Sequence, residues 1–220
     1  MQNITATAEH TFGLILSLVR HTTSAVAHVL NGGWNRNLFW GTQLSGKALG
    51  IIGHGRIGAM VACYGESFGM KIVAFDTDST RIVPPARSVS LQELMETSDV
   101  VSVHVTATPE NCNLIDRDLI FLMKPGAWFI NTARGSIVDN AALADAVSQG
   151  RLAGVAVDVV EGEEHGRIDD NPLLDCARKG GNVLITPHIG GATVEAIALT
   201  EAAVVSHLCN FLVADNSIGE

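Results

Sequence analysis

Three glycines, Gly53, Gly55 and Gly58, stand between an apolar segment and a predicted helix. The preceding residues 48–52 predict a buried strand, and residues 57–68 have the spacing of an amphipathic helix. In such a loop the first glycine permits a tight turn, the second lets a diphosphate approach the backbone, and the third lets helix and strand pack closely. Unpaired N–H groups at the helix N-terminus attract phosphate oxygens. The loop therefore predicts a diphosphate-binding site.

An acidic residue, Asp76, follows the next predicted strand, residues 71–75. At this place in a dinucleotide-binding fold, a carboxylate accepts hydrogen bonds from the adenosine ribose hydroxyls and repels a 2′-phosphate. The alternative is that the glycines are only turn residues and that Asp76 begins the turn 76–78. The order of strand, loop, helix, strand and acid favours the first interpretation. The sequence therefore predicts a site for NAD in preference to NADP.

Strand and helix patterns alternate along the whole chain. Residues 1–30 have helical spacing, and further helices are predicted at 57–68, 90–96, from 116, at 140–149 and at 193–212. Buried strands are predicted at 48–52, 71–75, 100–105, 128–130, 155–157 and 183–185. Six strands that alternate with helices are typical of a doubly wound, Rossmann-type α/β fold with a parallel sheet. We expect one dinucleotide-binding domain over residues 1–220.

Polar residues follow three of the predicted strands. They lie in residues 131–135, 158–164 and 186–191. In an open parallel sheet, ligands bind outside the carboxyl ends of the strands. We therefore expect these three segments to face one crevice.

Each of these segments also has an ordinary structural explanation. An arginine such as Arg134 after a buried strand is often part of a salt bridge, and His188 could be a plain loop residue. The acidic run with Glu161, Glu163 and Glu164 could be a solvated surface. The combination of arginine, acid and histidine, each after its own strand, favours a functional site.

Four segments match one family nearly residue for residue: GHGRIG from Gly53, INTARGSIVD from Ile130, GRLAGVAVDVVEGEE from Gly150 and TPHIGGAT from Thr186. With them the chain resembles the nucleotide-binding domain of the D-isomer-specific 2-hydroxyacid dehydrogenases over residues 5–212. Within that family it is most similar to the phosphoglycerate dehydrogenases. The resemblance implies an NAD-dependent oxidoreductase that transfers hydride between a D-2-hydroxy acid and its 2-keto acid.

The resemblance also implies three catalytic residues. Arg134 would bind the substrate carboxylate and carbonyl oxygen, which suits the planar fork of a guanidinium. His188 would exchange a proton with that oxygen, because imidazole titrates near neutral pH. Glu163 would hold the His188 ring and favour its protonated form, although Glu161 and Glu164 are close enough in sequence to take this role.

A larger set of residues would bind the cofactor in a protein of this family. Arg56 and Ile57 would contact the pyrophosphate, Val105 would flank the adenosine side, and Asp158 would bond the nicotinamide carboxamide. The full set of expected cofactor residues is Gly53, Gly55, Arg56, Ile57, Gly58, Asp76, Val105, Thr132, Ala133, Arg134, Asp158, His188, Gly190 and Gly191.

No metal site is expected from the remaining histidines and the cysteines. Neither group has metal-ligand spacing, and the four cysteines are far apart, as is typical of free thiols in a reducing compartment. His104 ends a strand near the cofactor loop and could line the pocket, but no chemistry is assigned to it. The other histidines without an assigned role are His10, His21, His28, His54, His165 and His207.

The chain departs from the family in its extent. Members usually carry further segments on both sides, which form a second domain that closes over the substrate. We expect this substrate domain to be absent and the chain to bind NAD but to turn over weakly or not at all, because closure excludes water and completes the site. Proline is common in the family where Thr106 and His165 stand here, and residues 165–170 look like a polar insertion, so loop geometry differs.

An N-terminal helix and dimerisation arm are expected at residues 1–45, and the Rossmann core at 46–213. The loop with Trp34 and Trp40 resembles the arm through which relatives form homodimers. Alternatively, both tryptophans pack on their own domain. A second candidate function is a non-catalytic NAD-binding interaction module, like the corepressors that share this fold. The absence of a basic run in the sequence favours the enzyme.

Composition argues against other classes of partner. The net charge of −9 does not suit nucleic acid or an anionic membrane as the main partner, since both require a basic surface. The apolar run 12–19 is too short to span a bilayer, and its flanks do not fit a signal peptide. A cytoplasmic protein is the expectation.

Overall fold

A seven-stranded parallel sheet forms the centre of the computed structural model, which describes residues 3–163, 166 and 168–215. The strand order is β3-β2-β1-β4-β5-β6-β7. The strands are β1 (Ala48–Ile52), β2 (Lys71–Phe75), β3 (Arg87–Ser88), β4 (Val100–Val103), β5 (Ala127–Asn131), β6 (Leu152–Val157) and β7 (Val183–Ile185). The predicted doubly wound α/β fold is confirmed.

The order of the strands reverses between β1 and β4, which are neighbours in the sheet. From β1 the chain proceeds to one edge through β2 and β3, and then returns to build β4 to β7 on the other side. A crevice forms at such a reversal, outside the carboxyl ends of the strands. The fold thus places the loops after β1, β4, β5 and β6 side by side.

The described residues form eight α-helices. They are α1 (Ile4–Val19), α2 (Thr22–Leu30), α3 (Arg56–Ser67), α4 (Leu91–Thr97), α5 (Arg117–Leu122), α6 (Asn140–Ser148), α7 (Pro172–Arg178) and α8 (Val194–Asp215). Helices α1 and α3 to α7 contribute side chains to the cores on the two faces of the sheet. Polar side chains cap several helix starts, as expected from their sequence. Ser90 accepts a hydrogen bond from the Glu93 N–H, and Asp116 accepts one from the Leu119 N–H.

The sheet alternates its apolar side chains between two cores. Leu49 and Trp128 belong to the core beneath α1 and α3. Val101 and Phe129 belong to the opposite core, beneath α4 to α7. This two-residue alternation follows from strand geometry, in which successive side chains point to opposite faces. Burial on both faces explains why the strands are almost wholly apolar.

The N-terminal region differs from the single helix predicted for residues 1–30. The chain turns at His21, whose φ of 53° lies in the left-handed region, and α1 and α2 are bent by 64° relative to each other. Helix α1 packs into the core through residues such as Phe12 and Ile15, whereas α2 buries none of its residues. No single helix of the described residues is long and apolar enough to cross a membrane. Only α1 and α2 taken together, as a bent pair, reach the necessary length and apolar content.

Three further elements differ from the sequence-based prediction. Strand β4 ends at Val103, two residues earlier than predicted. The two-residue edge strand β3 and the helix α7 were not predicted. Asn171 caps α7 by accepting from the Leu173 N–H, and Pro172 occupies its first turn. An asparagine before a proline is a recognisable helix start, so this signal was present in the sequence.

Candidate functional site

A cavity of about 300 Å³ opens at the carboxyl ends of the central strands. Nine of the expected cofactor residues line it: Ile57, Val105, Thr132, Ala133, Arg134, Asp158, His188, Gly190 and Gly191. Sequence reasoning gave no cofactor role to five other lining residues: Asn3, Thr7, His104, Thr106 and Ala107. Asn3 and Thr7 come from the N-terminal region, which no local pattern connects with this cavity.

The glycine loop begins directly after β1. Gly53 has a φ of +90°, and a Cβ there would lie 2.8 Å from the carbonyl oxygen of His104. A Cβ at Gly58 would overlap the carbonyl oxygen of Gly53, so only glycine lets α3 pack against the turn. At Gly55, by contrast, a Cβ would meet no atom within 4 Å, and φ is −76°. Gly55 thus faces open space at the start of α3, next to Arg56.

Asp76 contacts this loop directly. One carboxylate oxygen accepts a hydrogen bond of 2.8 Å from the His54 N–H, and the other accepts one of 3.0 Å from the Asp78 N–H. The second bond is the turn that the alternative interpretation of Asp76 proposed. The first bond spans the gap between β2 and the glycine loop, so the acid and the glycines lie together as the motif requires.

Two histidines lie behind the glycine loop. His54 is buried, and its Nδ1 donates to the Arg81 carbonyl oxygen at 3.0 Å because that oxygen can only accept. His104 is half-buried and lies 2.9 Å from the Ser102 hydroxyl through Nε2. Burial, and secondarily the nearby charge of His54, lower the pKa of His104 to about 3. His104 is therefore a neutral wall of the cavity at physiological pH.

Arg134 lies on a loop that its own neighbours hold in place. Asn131, at the end of β5, donates through its side chain to the Arg134 carbonyl oxygen and accepts from the Ala133 N–H, both at 2.9 Å. A Cβ at Gly135 would overlap the backbone of Val160, so this loop packs directly on the loop after β6. The Arg134 side chain itself is exposed towards the cavity.

His188 and Glu163 form a hydrogen-bonded pair. His188 Nδ1 lies 2.8 Å from Glu163 Oε1, and Glu163 Oε2 accepts from the Val160 N–H at 3.1 Å. The backbone of His188 is left-handed, with a φ of 55°, and its N–H donates to the Asp158 carbonyl oxygen at 2.9 Å. Glu163 is therefore the acid that reaches His188. Among the described residues Glu161 forms no hydrogen bond or ion pair with His188, and Glu164 lies outside those residues.

Asp158 is buried at 2% exposure and is surrounded by donors. It accepts hydrogen bonds from the Thr186 hydroxyl at 2.5 Å and from the backbone N–H groups of Ile189 at 2.9 Å and Gly190 at 2.7 Å. His10, from α1, approaches the same carboxylate to 3.2 Å. Sequence reasoning gave His10 no role, because the contact joins residues far apart in the chain.

A second cavity, of about 690 Å³, opens on the other side of Arg134 and His188. Its remaining walls include Glu163 and apolar side chains of β7, of α7 and of the loops after β6 and β7, namely Val160, Ile168, Leu174, Ile185 and Pro187. Arg134 and His188 therefore stand between two open spaces. A small molecule held by both residues could extend into the second one.

The expected site residues occur in a regular order across the sheet. Asp76 follows β2, Gly53 follows β1, Arg134 follows β5, Asp158 follows β6 and His188 follows β7. Because β2 and β6 are separated by four strand spacings in the observed order, Asp76 and Asp158 lie about 19 Å apart across the sheet. The open space at Gly55, the carboxylate of Asp76 and the cavity thus suit an extended dinucleotide that crosses the carboxyl edge of the sheet.

Comparison with known proteins identifies the family of the chain. Residues 12–190 match the family model for the D-isomer specific 2-hydroxyacid dehydrogenase, NAD binding domain. D-3-phosphoglycerate dehydrogenase of Bacillus subtilis (strain 168) is 40% identical over 209 residues, which are 93% of this chain and 38% of the relative. That of Haemophilus influenzae is 40% identical over 88% of this chain and 47% of the relative. The chain thus spans about two fifths of the length of such relatives.

Solved structures show the same fold. D-2-hydroxyisocaproate dehydrogenase matches with a TM-score of 0.89 and 31% identity over 97% of this chain and 68% of that chain. D-lactate dehydrogenase from Aquifex aeolicus, complexed with NAD and lactic acid, matches with a TM-score of 0.88 and 34% identity. This match covers 98% of this chain and 68% of the lactate dehydrogenase chain. The predictions of the family, of the Rossmann-type fold and of NAD as cofactor are confirmed. The chain belongs to the D-isomer-specific 2-hydroxyacid dehydrogenases and is an NAD-binding domain of that family.

Proposed function

We propose that the chain is the NAD-binding half of an oxidoreductase that transfers hydride between NAD(H) and a D-2-hydroxy acid or its 2-keto acid, and that it resembles phosphoglycerate dehydrogenase in this activity. The observation that carries the proposal is the convergence of Arg134 and the His188–Glu163 pair beside the cofactor cavity. Bound NAD would supply the hydride acceptor. The rest of the chemistry comes from side chains of this chain.

The proposed cofactor site uses the residues described above. The loop of Gly53, Gly55 and Gly58 with the start of α3 would hold the diphosphate, and Asp76 the adenosine ribose. Residues of the cavity walls would enclose the nicotinamide end, where Asp158 would bind the carboxamide. This placement is supported by the spatial order of the groups across the sheet.

Arg134 and His188 have complementary roles in the proposed reaction. The guanidinium of Arg134 would pair with the substrate carboxylate and orient its C2 oxygen. Because a carboxylate only accepts, the proton of a neutral His188 ring resides on Nδ1, which faces Glu163. Nε2 is then free to take the proton of the C2 hydroxyl during oxidation and to return it during reduction. Glu163 stabilises the imidazolium that this transfer creates.

Residues 46–213 form the proposed Rossmann core, and residues 1–45 the proposed dimerisation arm. In this arm Trp34 is 90% exposed and Trp40 is 80% exposed. Leu30 and Val26 are also more than half exposed. The alternative, in which the tryptophans pack on their own domain, does not explain this exposure. An apolar surface of this kind suits the two-fold interface of a homodimer.

The oligomeric state of the chain can be tested by light scattering after size exclusion. We expect a dimer for the unmodified chain and a monomer for the Trp34→Ser/Trp40→Ser double variant. Phe68→Ser, at an exposed apolar residue outside the arm, is the control and should remain dimeric. A monomeric unmodified chain at micromolar concentration would contradict the proposed arm.

The proposed activity is tested by binding in two stages. Calorimetry should show that NAD binds, and that NADP binds at least about tenfold more weakly. With NADH present, a short 2-keto acid should bind to the unmodified chain and at least about tenfold more weakly to Arg134→Gln, since a charge-assisted hydrogen bond contributes about 1.5–3 kcal/mol. Arg117→Gln, which removes an exposed arginine paired with Asp145, is the matched control.

Turnover is a separate measurement. Because the chain spans about two fifths of its phosphoglycerate dehydrogenase relatives, we expect slow or no consumption of NADH with simple 2-keto acids. Brisk turnover would contradict the expectation that a further domain is needed to complete the site. Equal keto-acid affinity of Arg134→Gln and the unmodified chain would contradict the proposed substrate site.

A further inference from the structure

His54 is the second residue of the glycine loop, and its imidazole is buried at 3% exposure. Two of its groups bond to the segment that follows β2. Its backbone N–H donates to Asp76 at 2.8 Å, and its Nδ1 donates to the Arg81 carbonyl oxygen at 3.0 Å. The glycine loop is therefore joined to this segment through both the backbone and the side chain of one residue.

Residues 76–82 form a compact turn that begins at Asp76. The Asp78 N–H donates to one Asp76 carboxylate oxygen at 3.0 Å. The Arg81 N–H donates to the Asp78 carbonyl oxygen at 3.1 Å, and Arg81 Nε lies 3.3 Å from the Asp78 carboxylate. Because the Arg81 carbonyl oxygen accepts from His54, the turn is held at both of its ends.

The second ring nitrogen of His54 contributes nothing to this attachment. Nε2 is buried and has no hydrogen-bond partner among the described residues. A buried polar atom without a partner costs free energy, and an apolar side chain of similar volume would pack there without this cost. The bond from Nδ1 to Arg81 is therefore the contribution that distinguishes this histidine from an apolar residue.

The bond acts beside the proposed ribose site. Each Asp76 carboxylate oxygen accepts from one backbone N–H, which leaves lone pairs for the two ribose hydroxyls. The 2′-phosphate of NADP would meet the negative charges of Asp76 and Asp78 here. The Arg81 guanidinium could pair with such a phosphate, but it is paired with Asp78 while the turn keeps its shape. The fixed turn thus suits the ribose of NAD and not a 2′-phosphate.

We propose that His54 is a positioning residue for the adenosine end of the cofactor, and that its bond to Arg81 holds residues 76–82 in the shape that favours NAD over NADP. This inference rests on the proposed placement of the ribose at Asp76. Without the bond, the turn must be ordered when NAD binds, which lowers NAD affinity. NADP does not use this shape, and a freer turn lets Arg81 approach the 2′-phosphate. NADP affinity therefore changes less than NAD affinity.

The experiment measures the dissociation constants of NAD and NADP by calorimetry for variants of residue 54. His54→Leu removes the bond to Arg81 but keeps the backbone N–H that bonds Asp76. We expect its NAD affinity to fall about three- to tenfold, the effect of one hydrogen bond, while its NADP affinity changes less than about twofold. In His54→Asn the side-chain amide can donate in place of Nδ1. This variant should keep the NAD/NADP affinity ratio of the unmodified chain within about twofold.

Urea unfolding separates this role from a general effect on stability. The urea midpoint of His54→Leu should shift by less than about 0.5 M, because removal of the unpaired Nε2 offsets the lost bond. A histidine that only stabilised the loop would, when replaced, weaken NAD and NADP alike. His207→Gln, at an exposed histidine of α8, is the control and should match the unmodified chain in both affinities.

An NAD/NADP affinity ratio in His54→Leu equal to that of the unmodified chain would overturn the inference, whether both affinities are unchanged or both fall alike. Absence of NAD binding to the unmodified chain would instead contradict the proposed function. If His54→Leu does not fold, hydrogen exchange of the unmodified chain replaces it. At equal saturation, NAD should slow exchange of the Arg81 and Ile82 N–H groups at least about threefold more than NADP does. Equal protection by the two nucleotides would also overturn the inference.

Discussion

The glycines of the phosphate loop allow a test that separates cofactor binding from folding. Gly55 and Gly58 stand three residues apart at the start of α3, yet a Cβ has opposite consequences at the two positions. At Gly55 it would meet no atom within 4 Å, whereas at Gly58 it would overlap the carbonyl oxygen of Gly53. Replacing each by alanine should therefore affect different properties of the protein.

The size of each effect follows from these surroundings. In Gly55→Ala the methyl group fills the space proposed for the diphosphate and breaks about two charge-assisted hydrogen bonds. The lost bonds cost about 3 kcal/mol of binding free energy, so NAD affinity should fall at least about 100-fold. Its free energy of unfolding should change by less than about 1 kcal/mol, because lower entropy of the unfolded chain offsets a poorer helix cap. Gly58→Ala should lose about 1–3 kcal/mol of stability, since α3 must move away from the turn.

Urea unfolding without cofactor and calorimetric titration with NAD measure the two quantities independently. Gly13→Ala is the matched control, because a Cβ at that exposed position of α1 also meets no atom within 4 Å. It should keep its NAD affinity and gain up to about 1 kcal/mol of stability, because alanine is a better helix former than glycine. Unchanged NAD affinity in Gly55→Ala would refute the placement of the diphosphate at this loop. A stability loss above about 2 kcal/mol in Gly55→Ala would refute the claim that its Cβ meets open space.

Two further predictions concern stability. The pKa of His104 is lowered to about 3 by burial and by the nearby His54. Because the unfolded chain takes up this proton near pH 6.5 and the folded chain does not, the free energy of unfolding should fall by up to about 2 kcal/mol as the pH drops to 5. Urea unfolding of His104→Asn should show a flatter pH dependence, and an unchanged slope would contradict this assignment. Gly135→Ala should lower the free energy of unfolding by at least about 2 kcal/mol, because its Cβ would overlap the backbone of Val160. A urea midpoint equal to that of the unmodified chain would contradict this prediction.

Much of the fold could be predicted because local patterns determined it. The apolar strands 48–52 and 71–75 were predicted with the observed bounds, since strands buried on both faces are nearly continuous apolar runs. Gly69 ends α3 with a φ of +73°, as its sequence position indicated. The bend at His21 was missed, because helical spacing continues on both sides of it and only packing separates the buried α1 from the exposed α2.

The site could be predicted only as far as the motifs extend. Arg134, Glu163 and His188 each follow a strand, and parallel topology brings such positions to one edge of the sheet. The family resemblance alone selected Glu163 from its acidic neighbours, and its contact with His188 required coordinates, because a loop and not a regular element presents it. The place of Thr7 in the cavity wall and the contact of His10 with Asp158 also required coordinates, since tertiary packing alone joins residues so far apart in sequence.

The bond between Asp76 and the His54 N–H has a consequence for engineering this domain. If Asp76 binds the adenosine ribose as proposed, cofactor preference would be redesigned by exchanging it for a smaller or basic side chain. Here the acid also fixes the shape of the glycine loop before any nucleotide arrives. An exchange that removes this hydrogen bond would loosen the backbone amides proposed to bind the diphosphate. The affinities for NAD and for NADP would then both decrease. A replacement that keeps one side-chain oxygen within reach of the His54 amide would preserve the preformed loop.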